Sequence, residues 1–189
     1  KSCKFSRAAL LLIAVINLYF LIAVRICDHQ GTNWQTIIYS YGKGYYEYLR
    51  AAFVNHNLSS EDSVPGYMRK AGQKSVIKYF AGPAIAYSPF FFAAKMISVF
   101  REQTTDGYTF EFQVTIALAG WSYCLMGLFF IIMLLRMFAI ADGIIAICLL
   151  MITYGTNLFY YAVIEPSMSH VYSFASIAGF IFCAYKYLS

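Results

Sequence analysis

The segment FYYAVIEPSMSHVYS, residues 159–173, contains a glutamate, a proline and a histidine between two long apolar runs. A carboxylate at membrane depth can act as a general base or hold a divalent cation. Glu165 is therefore a candidate catalytic residue, and His170 is a candidate contact for a bound phosphate or an acceptor. A simpler interpretation is that Pro166 starts a helix, which makes Glu165 its N-cap and His170 an interfacial side chain.

Lysines recur at regular spacing in the polar segment before residue 80. Lys70, Lys74 and Lys78 are four residues apart, so a helical turn through MRKAGQKSVIKYF would place three ammonium groups on one face. Such a face suits a phosphate or diphosphate, and Lys74 and Lys78 are the candidate contacts. Contact with solvent or with lipid headgroups explains the same pattern.

Two further acids, Asp28 and Glu47, are candidate catalytic residues near the ends of apolar or amphipathic segments. Each also has a structural explanation, because Asp28 could end a helix and Glu47 could pair with Arg50, three residues later. The five cysteines form no disulfide framework or metal motif. A divalent metal ion held by the acidic residues stays an open alternative.

The composition indicates a membrane protein. The chain has 189 residues, of which 60% are hydrophobic and 12% are charged, whereas water-soluble proteins carry about 25% charged residues. Its net charge of +5 does not indicate a nucleic-acid partner, because lysines and arginines lie in loops and at the ends of apolar runs. The expected partner is membrane lipid. The chain lacks an initial Met, so we expect the N-terminal part of a larger protein.

A membrane-spanning helix needs about 20 apolar residues, and this criterion predicts an all-α, polytopic bundle forming a single domain. A further segment, 80–100, is long enough but contains two prolines and a lysine. The predicted spans are 8–27, 112–135, 143–163 and 171–188.

The segment 80–100 decides the predicted topology. If it does not span and the N-terminus is cytoplasmic, most basic residues near the spans share the cytoplasmic side, as the positive-inside rule requires. Residues 28–111 then form a long extracytoplasmic loop, in which 80–100 is a Pro-interrupted helix at the membrane surface. Glu165 lies on the same side as this loop, so that the two can build one site. The basic residues concerned are Lys1, Lys4, Arg7, Arg136 and Lys186.

A second juxtamembrane helix is predicted within the same loop. In KGYYEYLRAAFVNHN, the residues Tyr45, Leu49, Ala52 and Phe53 recur at helical spacing and would form an apolar face along the membrane surface. Glu47 lies elsewhere around this helix.

The order of these features resembles the N-terminal core of the GT-C superfamily of membrane glycosyltransferases, which includes protein O-mannosyltransferases and lipid A aminoarabinose transferases. The resemblance rests on GKGYYEYLRAAF and KYFAGPAIAYSPFF in the long loop and on YAVIEPSMSH in the second loop. It implies inverting transfer of a sugar from a polyprenyl-phosphate donor to an acceptor on the extracytoplasmic side, in a bacterial cytoplasmic (inner) membrane.

The resemblance also implies roles for individual residues. Glu165 matches the family's second-loop acid and Lys78, supported by Lys74, matches the lysine that contacts the donor phosphate. The slot of the first-loop acid is occupied by Tyr41, so that Asp28 or Glu47 would have to replace it.

Two other functions are compatible with the sequence. A non-catalytic membrane scaffold, or a subunit that binds partner subunits through the long loop, would explain the tyrosine at position 41. A lipid or lipid-phosphate transporter is less favoured, because the predicted spans contain no buried charge.

Overall fold

The computed structural model describes residues 4–27, 31–57, 66, 68–71, 74–102 and 106–188. It confirms a predominantly helical chain, with 77% helix and 4% strand. Three short helical turns connect the longer elements: Leu21–Ile26 and Tyr160–Ile164 are the first and second π-helical turns, and Asn33–Thr36 is a 3-10 turn. The main elements are α1 Lys4–Phe20, α2 Tyr41–Phe53, β1 Met68–Ala71, β2 Lys74–Ile77, α3 Gly82–Phe100, α4 Phe110–Met137, α5 Asp142–Tyr154 and α6 Ser169–Leu188.

Four helices are long and apolar enough to cross a membrane, as expected for a membrane protein. They are Lys4–Ile26, which joins α1 to the first π-helical turn, Gly82–Phe100, Phe110–Met137 and Ser169–Leu188.

The segment predicted to span at 143–163 is divided in the structure. Helix α5 ends at Tyr154, and the Thr156 hydroxyl donates a hydrogen bond to the Ile152 carbonyl at 2.6 Å. The backbone N–H of Leu158 in turn donates to Thr156 Oγ1 at 3.2 Å. These side-chain bonds end the helix locally, as threonine hydroxyls do when they compete with backbone hydrogen bonding.

Helices α4 and α6 run in the same direction and form the centre of the bundle. Pro166, just before α6, packs on Gly120, where an added Cβ would lie 2.6 Å from the proline Cβ. At the other end, the rings of Phe138 and Tyr185 are 4.7 Å apart. Gly127 also permits close approach of α6, as small residues do between membrane helices.

Helix α4 is longer than the hydrocarbon core of a membrane. Its 28 residues extend about 42 Å, compared with a core of about 30 Å. Pro166, in the turn that leads into α6, contacts Gly120. The part of α4 before Gly120 is about 15 Å long and therefore extends beyond this turn. We call this part the α4 overhang, residues 110–119.

The two ends of helix α3 contact the start of α2 and the overhang. Just before α3, Tyr79 contacts Tyr41 of α2, with ring centroids 5.7 Å apart. Just after α3, Arg101 forms a salt bridge with Glu111 in the first turn of α4. Helix α3 therefore packs beside α2 and the overhang.

Helix α3 is continuous through Pro89, so the predicted interruption at the prolines is wrong. A proline inside a helix leaves the carbonyl four residues earlier without its N–H donor. Here that carbonyl belongs to Ile85, and the Ser88 hydroxyl donates to it at 2.8 Å. The neighbouring side chain thus replaces the missing bond.

The lysine segment is a hairpin, so the predicted helical face of three lysines is wrong. Strands β1 and β2 pair antiparallel, with Lys70 opposite Ser75 and Arg69 opposite Val76. The sequence Ser-Val-Ile in β2 favours a strand because β-branched side chains pack well on a pleated surface. Lys78 follows β2 and does not share a face with Lys70.

The apolar face of α2 also differs from the prediction. Tyr46 and Glu47 are buried together with Leu49, whereas Phe53 is 38% exposed. The buried face follows from packing against α3 and the segment before α4, since the rings of Tyr46 and Phe91 are 5.8 Å apart.

Candidate functional site

Two adjoining cavities lie at the end of the bundle where α2 and α6 begin. The first has a volume of about 300 Å³ and contains Glu165 and Arg25 in its lining; we call it the Glu165 cavity. The second has a volume of about 390 Å³ and contains Lys78; we call it the lysine cavity. Tyr39 and Ser40 line both, so the two cavities share one wall.

Glu165 is held at the end of the second π-helical turn. Its backbone N–H donates to the Tyr160 carbonyl at 3.0 Å, and the Tyr160 hydroxyl donates to Glu165 Oε1 at 3.0 Å. The side chain is partly exposed and lines the Glu165 cavity. Rare π-helical turns inside helical proteins often occur at functional sites.

The interpretation of Glu165 as the N-cap of the last helix is wrong. Helix α6 begins at Ser169, and residues 166–168 form a separate turn in which the Met168 N–H donates to the Glu165 carbonyl at 3.1 Å. Pro166 lies in this turn, packed on Gly120, and does not occupy the first position of α6. Glu165 therefore lies at the start of a turn between two helical segments.

The turn that follows Glu165 is fixed to the first loop and to α3. The Ser167 hydroxyl donates to the Ile37 carbonyl at 2.7 Å, and Tyr87 donates to the Ser167 carbonyl. Gly42 allows this contact, because an added Cβ would lie 2.1 Å from Ser167 Oγ. The turn after Glu165 therefore contacts the segment that leads into α2.

The shared wall contains a strained backbone conformation. Ser40 has φ 51° and ψ −128°, a combination of positive φ and extended ψ that a residue with a Cβ rarely adopts. Its carbonyl accepts the Lys43 N–H at 3.2 Å as α2 begins. Strain of this kind collects at ligand sites, where the surrounding contacts hold it.

The lysine cavity combines ammonium groups with tyrosines. Lys78 Nζ is 5.3 Å from the centroid of the Tyr79 ring, and Lys43 Nζ is 5.9 Å from that of Tyr39. The Tyr48 hydroxyl fixes this wall by donating to the Tyr79 carbonyl at 2.6 Å. Ammonium groups bind phosphate, and tyrosine faces suit a sugar or a cation. Lys43 was not predicted, because its spacing separates it from the other lysines.

Glu47 lines neither cavity. Its Oε1 accepts from Arg50 at 3.0 Å, as the alternative prediction required, and its Oε2 accepts from the Tyr108 hydroxyl at 3.2 Å. Arg50 Nε also donates to the Asp106 carbonyl at 2.7 Å. Beside this network, burial raises the pKa of the Tyr46 hydroxyl well above its usual range. The network ties α2 to the segment before α4.

Among the remaining predicted residues that the structure describes, His170 lines neither cavity. His170 is exposed and stacks on Tyr161, with ring centroids 3.8 Å apart and planes 4° from parallel. Asp28 and the side chain of Lys74 lie outside the described part of the chain. Within the described residues, no group of three His, Cys, Asp or Glu side chains is placed to hold a metal ion.

Arg25 is the second lining residue, after Lys43, that the sequence reasoning missed. It lies in the first π-helical turn, and its NH1 and NH2 groups donate to Thr36 Oγ1 at 3.2 Å and to the Thr36 carbonyl at 2.8 Å. The signal in the sequence was a single arginine near the end of an apolar run, which is usual at a membrane surface. Its position opposite Glu165 follows only from the fold.

Comparisons with protein-family models, with curated proteins and with solved structures found no match to this chain.

Proposed function

We propose that this protein is a glycosyltransferase that moves a sugar from a polyprenyl-phosphate donor to an acceptor hydroxyl on the extracytoplasmic side of a bacterial cytoplasmic membrane. The observation that supports it is that the two cavities adjoin: Tyr39 and Ser40 line both the cavity with the Glu165 carboxylate and the cavity with the Lys43 and Lys78 ammonium groups. An acid on one side of a reacting centre and cations on the other are what glycosyl transfer from a phosphate requires.

In this proposal the lysine cavity receives the donor. Lys78 and Lys43 stabilise the negative charge that develops on the phosphate as the bond from the anomeric carbon to the phosphate oxygen breaks. The departing phosphate keeps the electron pair of that bond. The exposed tyrosines Tyr39 and Tyr41 offer faces and hydroxyls to the sugar ring.

The Glu165 cavity receives the acceptor. The acceptor oxygen forms the new bond to the anomeric carbon from the face opposite the phosphate, so the configuration inverts, and its proton passes to Glu165. Tyr160 holds Oε1 of this carboxylate, so Oε2 is the natural proton acceptor. Asp28 stays a candidate for the first-loop acid, as the resemblance implies.

The proposed topology places the N-terminus in the cytoplasm and the long loop outside. The support is that the two ends of α3 contact elements at the end of the bundle that carries the Glu165 turn: Tyr79 contacts Tyr41, next to Gly42 and Ser167, and Arg101 pairs with Glu111. If both ends of a helix lie at the same end of the bundle, the chain before it and the chain after it are on the same side of the membrane. Helix α3 would then lie against the membrane as a juxtamembrane helix.

The test measures sugar transfer from a radiolabelled polyprenyl-phosphate donor by the full chain in proteoliposomes. We expect Glu165→Gln to lower the rate by about 10²- to 10⁴-fold, and Lys78→Ala by about 10²- to 10³-fold. The matched controls are Glu102→Gln and Lys70→Ala, since neither residue lines a cavity. Wild-type transfer by Glu165→Gln contradicts the proposed role of this residue.

A non-catalytic membrane subunit is the second candidate function. The observation that favours it is that Glu165 is the single carboxylate among the described residues that line the two cavities. Binding of the lipid-linked donor by the wild-type protein, with no transfer to any acceptor hydroxyl, would support this function over the first.

A further inference from the structure

The interruption after α5 exposes polar groups on the side of the bundle. Helix α5 ends at Tyr154 and helical structure resumes after Asn157; residues 154–157 are all exposed, and we call them the α5 break. Within the described residues, the carbonyls of Tyr154 and Gly155 accept no hydrogen bond, and the N–H groups of Thr156 and Asn157 donate none. The Asn157 carboxamide is also unpaired in this part of the chain.

Two distances place the α5 break at the depth of the hydrocarbon core. Helix α5 has 13 residues and is therefore about 20 Å long, so the break lies about this far from the end of the bundle where α5 begins. Independently, the Tyr154 hydroxyl donates to Asn17 Oδ1 at 3.2 Å, and Asn17 lies about 20 Å along α1 from Lys4. Both distances are shorter than a hydrocarbon core of about 30 Å, so the break lies within the core.

Unpaired backbone groups are unfavourable at this depth. Hydrocarbon offers no hydrogen-bond partner, and irregular backbone is tolerated in a membrane only where protein or water covers it. Thr156 relieves part of the cost, because its hydroxyl donates to the Ile152 carbonyl and accepts the Leu158 N–H. The exposed groups of the α5 break still need a polar partner beyond the described residues.

The surface next to the break is suited to packing against a second helix. Ile144, Ile147 and Met151 are exposed by 55%, 62% and 63% and lead along α5 to Tyr154. These residues recur at alternating spacings of three and four, as residues do where two membrane helices pack side by side. Gly155 then allows close approach, because it has no side chain. An apolar stripe therefore ends in a polar patch.

From these observations we infer that the α5 break is an interface between two copies of this chain within the membrane. Two copies share one orientation in a bilayer, so a two-fold axis along the membrane normal brings residues of equal depth together. The break of one protomer then meets the break of its partner. Its groups are self-complementary, because the Asn157 carboxamide both donates and accepts and the break contains free carbonyls as well as free N–H groups. A different helix would need a polar side chain at this same depth.

This interface does not depend on sugar transfer. None of the residues in the α5 break lines the Glu165 cavity or the lysine cavity, and the copies are counted without any sugar donor. A monomeric chain therefore leaves the transfer proposal intact, and an inactive chain leaves the interface intact.

The first test counts the copies. The full chain, with one fluorophore on each copy, is reconstituted into vesicles of phosphatidylethanolamine and phosphatidylglycerol over a range of protein-to-lipid ratios, and photobleaching steps give the dimer fraction. We expect the wild type to form dimers, and Asn157→Leu to raise the dissociation constant about tenfold, because hydrogen bonds between the helices are lost. A wild type that is monomeric at every ratio overturns the inference, whether or not any variant folds.

The matched control is Ser176→Leu. Ser176 is also an exposed polar residue within a candidate span, but it lies on α6. Its replacement should leave the dissociation constant of the wild type unchanged. Equal weakening of the dimer by Ser176→Leu and Asn157→Leu overturns the assignment of the interface to the α5 break, as does a dissociation constant that Asn157→Leu does not change.

Disulfide cross-linking tests which face is buried between the copies. The background is the full chain with its five cysteines replaced by alanine. There Asn157→Cys should give about tenfold more cross-linked dimer than Ile181→Cys on α6, because a disulfide requires Cα atoms within about 7 Å. Cross-linking through position 181 and not through 157 overturns the inference. Labelling of Asn157→Cys by a membrane-impermeant maleimide would show that water covers the break, which also overturns it.

Discussion

The two ends of the helix bundle both contain charged residues, but they use them differently. At the end where α1 begins, Asp142 accepts from the Ser6 hydroxyl at 2.5 Å and from the Phe5 N–H at 2.8 Å, and Arg136 donates to Ser6 Oγ at 2.9 Å. At the opposite end, Arg25 and Glu165 line a cavity.

The comparison distinguishes charged residues that stabilise the fold from charged residues that are placed to bind a ligand. Asp142 caps the first turn of α1, where exposed N–H groups favour a carboxylate, and the hydrogen bond from the Ser6 hydroxyl, with those from the backbone, lowers the pKa of Asp142. A charge bound by its own chain in this way contributes to stability. A charged side chain that lines a cavity is placed to contact a ligand. The four experiments below test this distinction and the contacts that form the cavity.

The largest effect is expected from a side chain added at Gly42, where the backbone lies against Ser167. Gly42→Val would push the Ser167 turn away from the segment before α2, and we expect it to lower the free energy of unfolding by about 3 kcal/mol. Gly82→Ala is the control, since a Cβ there meets nothing within 4 Å. Denaturant unfolding in detergent measures the difference; equal stability of the two variants would contradict the contact.

Glu47 and Glu165 provide a direct comparison of two carboxylates. Glu47 is 4% exposed and paired with Arg50, so Glu47→Gln should lower the free energy of unfolding by about 2 kcal/mol. Glu165→Gln should leave the free energy of unfolding unchanged while lowering the rate of sugar transfer in the assay proposed above. A stability loss in Glu165→Gln as large as that in Glu47→Gln would show that both acids are structural.

Ser40 tests whether the cavity wall stores strain. We expect Ser40→Gly to increase the free energy of unfolding by about 1 kcal/mol, because glycine adopts positive φ without a steric cost. Thermal unfolding followed by circular dichroism measures the change. The control is Ser122→Ala within α4, which should leave stability unchanged. Ser88→Gly would remove a hydrogen bond and Ser176→Gly would weaken α6, so neither is suitable. A lower midpoint in Ser40→Gly would mean that the wall is unstrained.

The smallest effect is expected at Asp142 and depends on pH. Its folded pKa lies below its unfolded value, so its contribution is fully present above the unfolded pKa of about 3.9 and is lost as pH falls through the lower folded pKa. Unfolding curves of the wild type and Asp142→Asn should therefore differ at pH about 6 and converge towards pH about 2. A difference that is constant with pH would assign the effect to packing.

The residues show why some features were predictable from sequence and others were not. The long apolar helices near the predicted spans 8–27, 112–135 and 171–188 followed from apolar length, and the Glu47–Arg50 pair followed from helical spacing, because both depend on neighbours in the chain. Apolar length did not predict that the segment 143–163 is divided after Tyr154. The helical lysine face failed because the strand preference of Ser75, Val76 and Ile77 outweighed a four-residue spacing that has no meaning in a hairpin.

The candidate site depended on contacts between distant parts of the chain. Arg25 and Glu165 are 140 positions apart, and their shared cavity requires Ser167 to bind Ile37 and Pro166 to pack on Gly120. Neither contact has a periodic signature in the sequence. Glycines at 42 and 120 are visible, but only the fold shows what each one allows to approach.

The overhang of α4 has a consequence for how molecules arrive. From Gly120 to Met137, α4 extends about 27 Å, close to the thickness of a hydrocarbon core, so the turn that carries Glu165 is near the level of the phosphates. A molecule anchored in the bilayer already has its polar end at this depth. In the topology proposed above, the Glu165 turn and the polar ends of bilayer-anchored molecules therefore lie at the same depth.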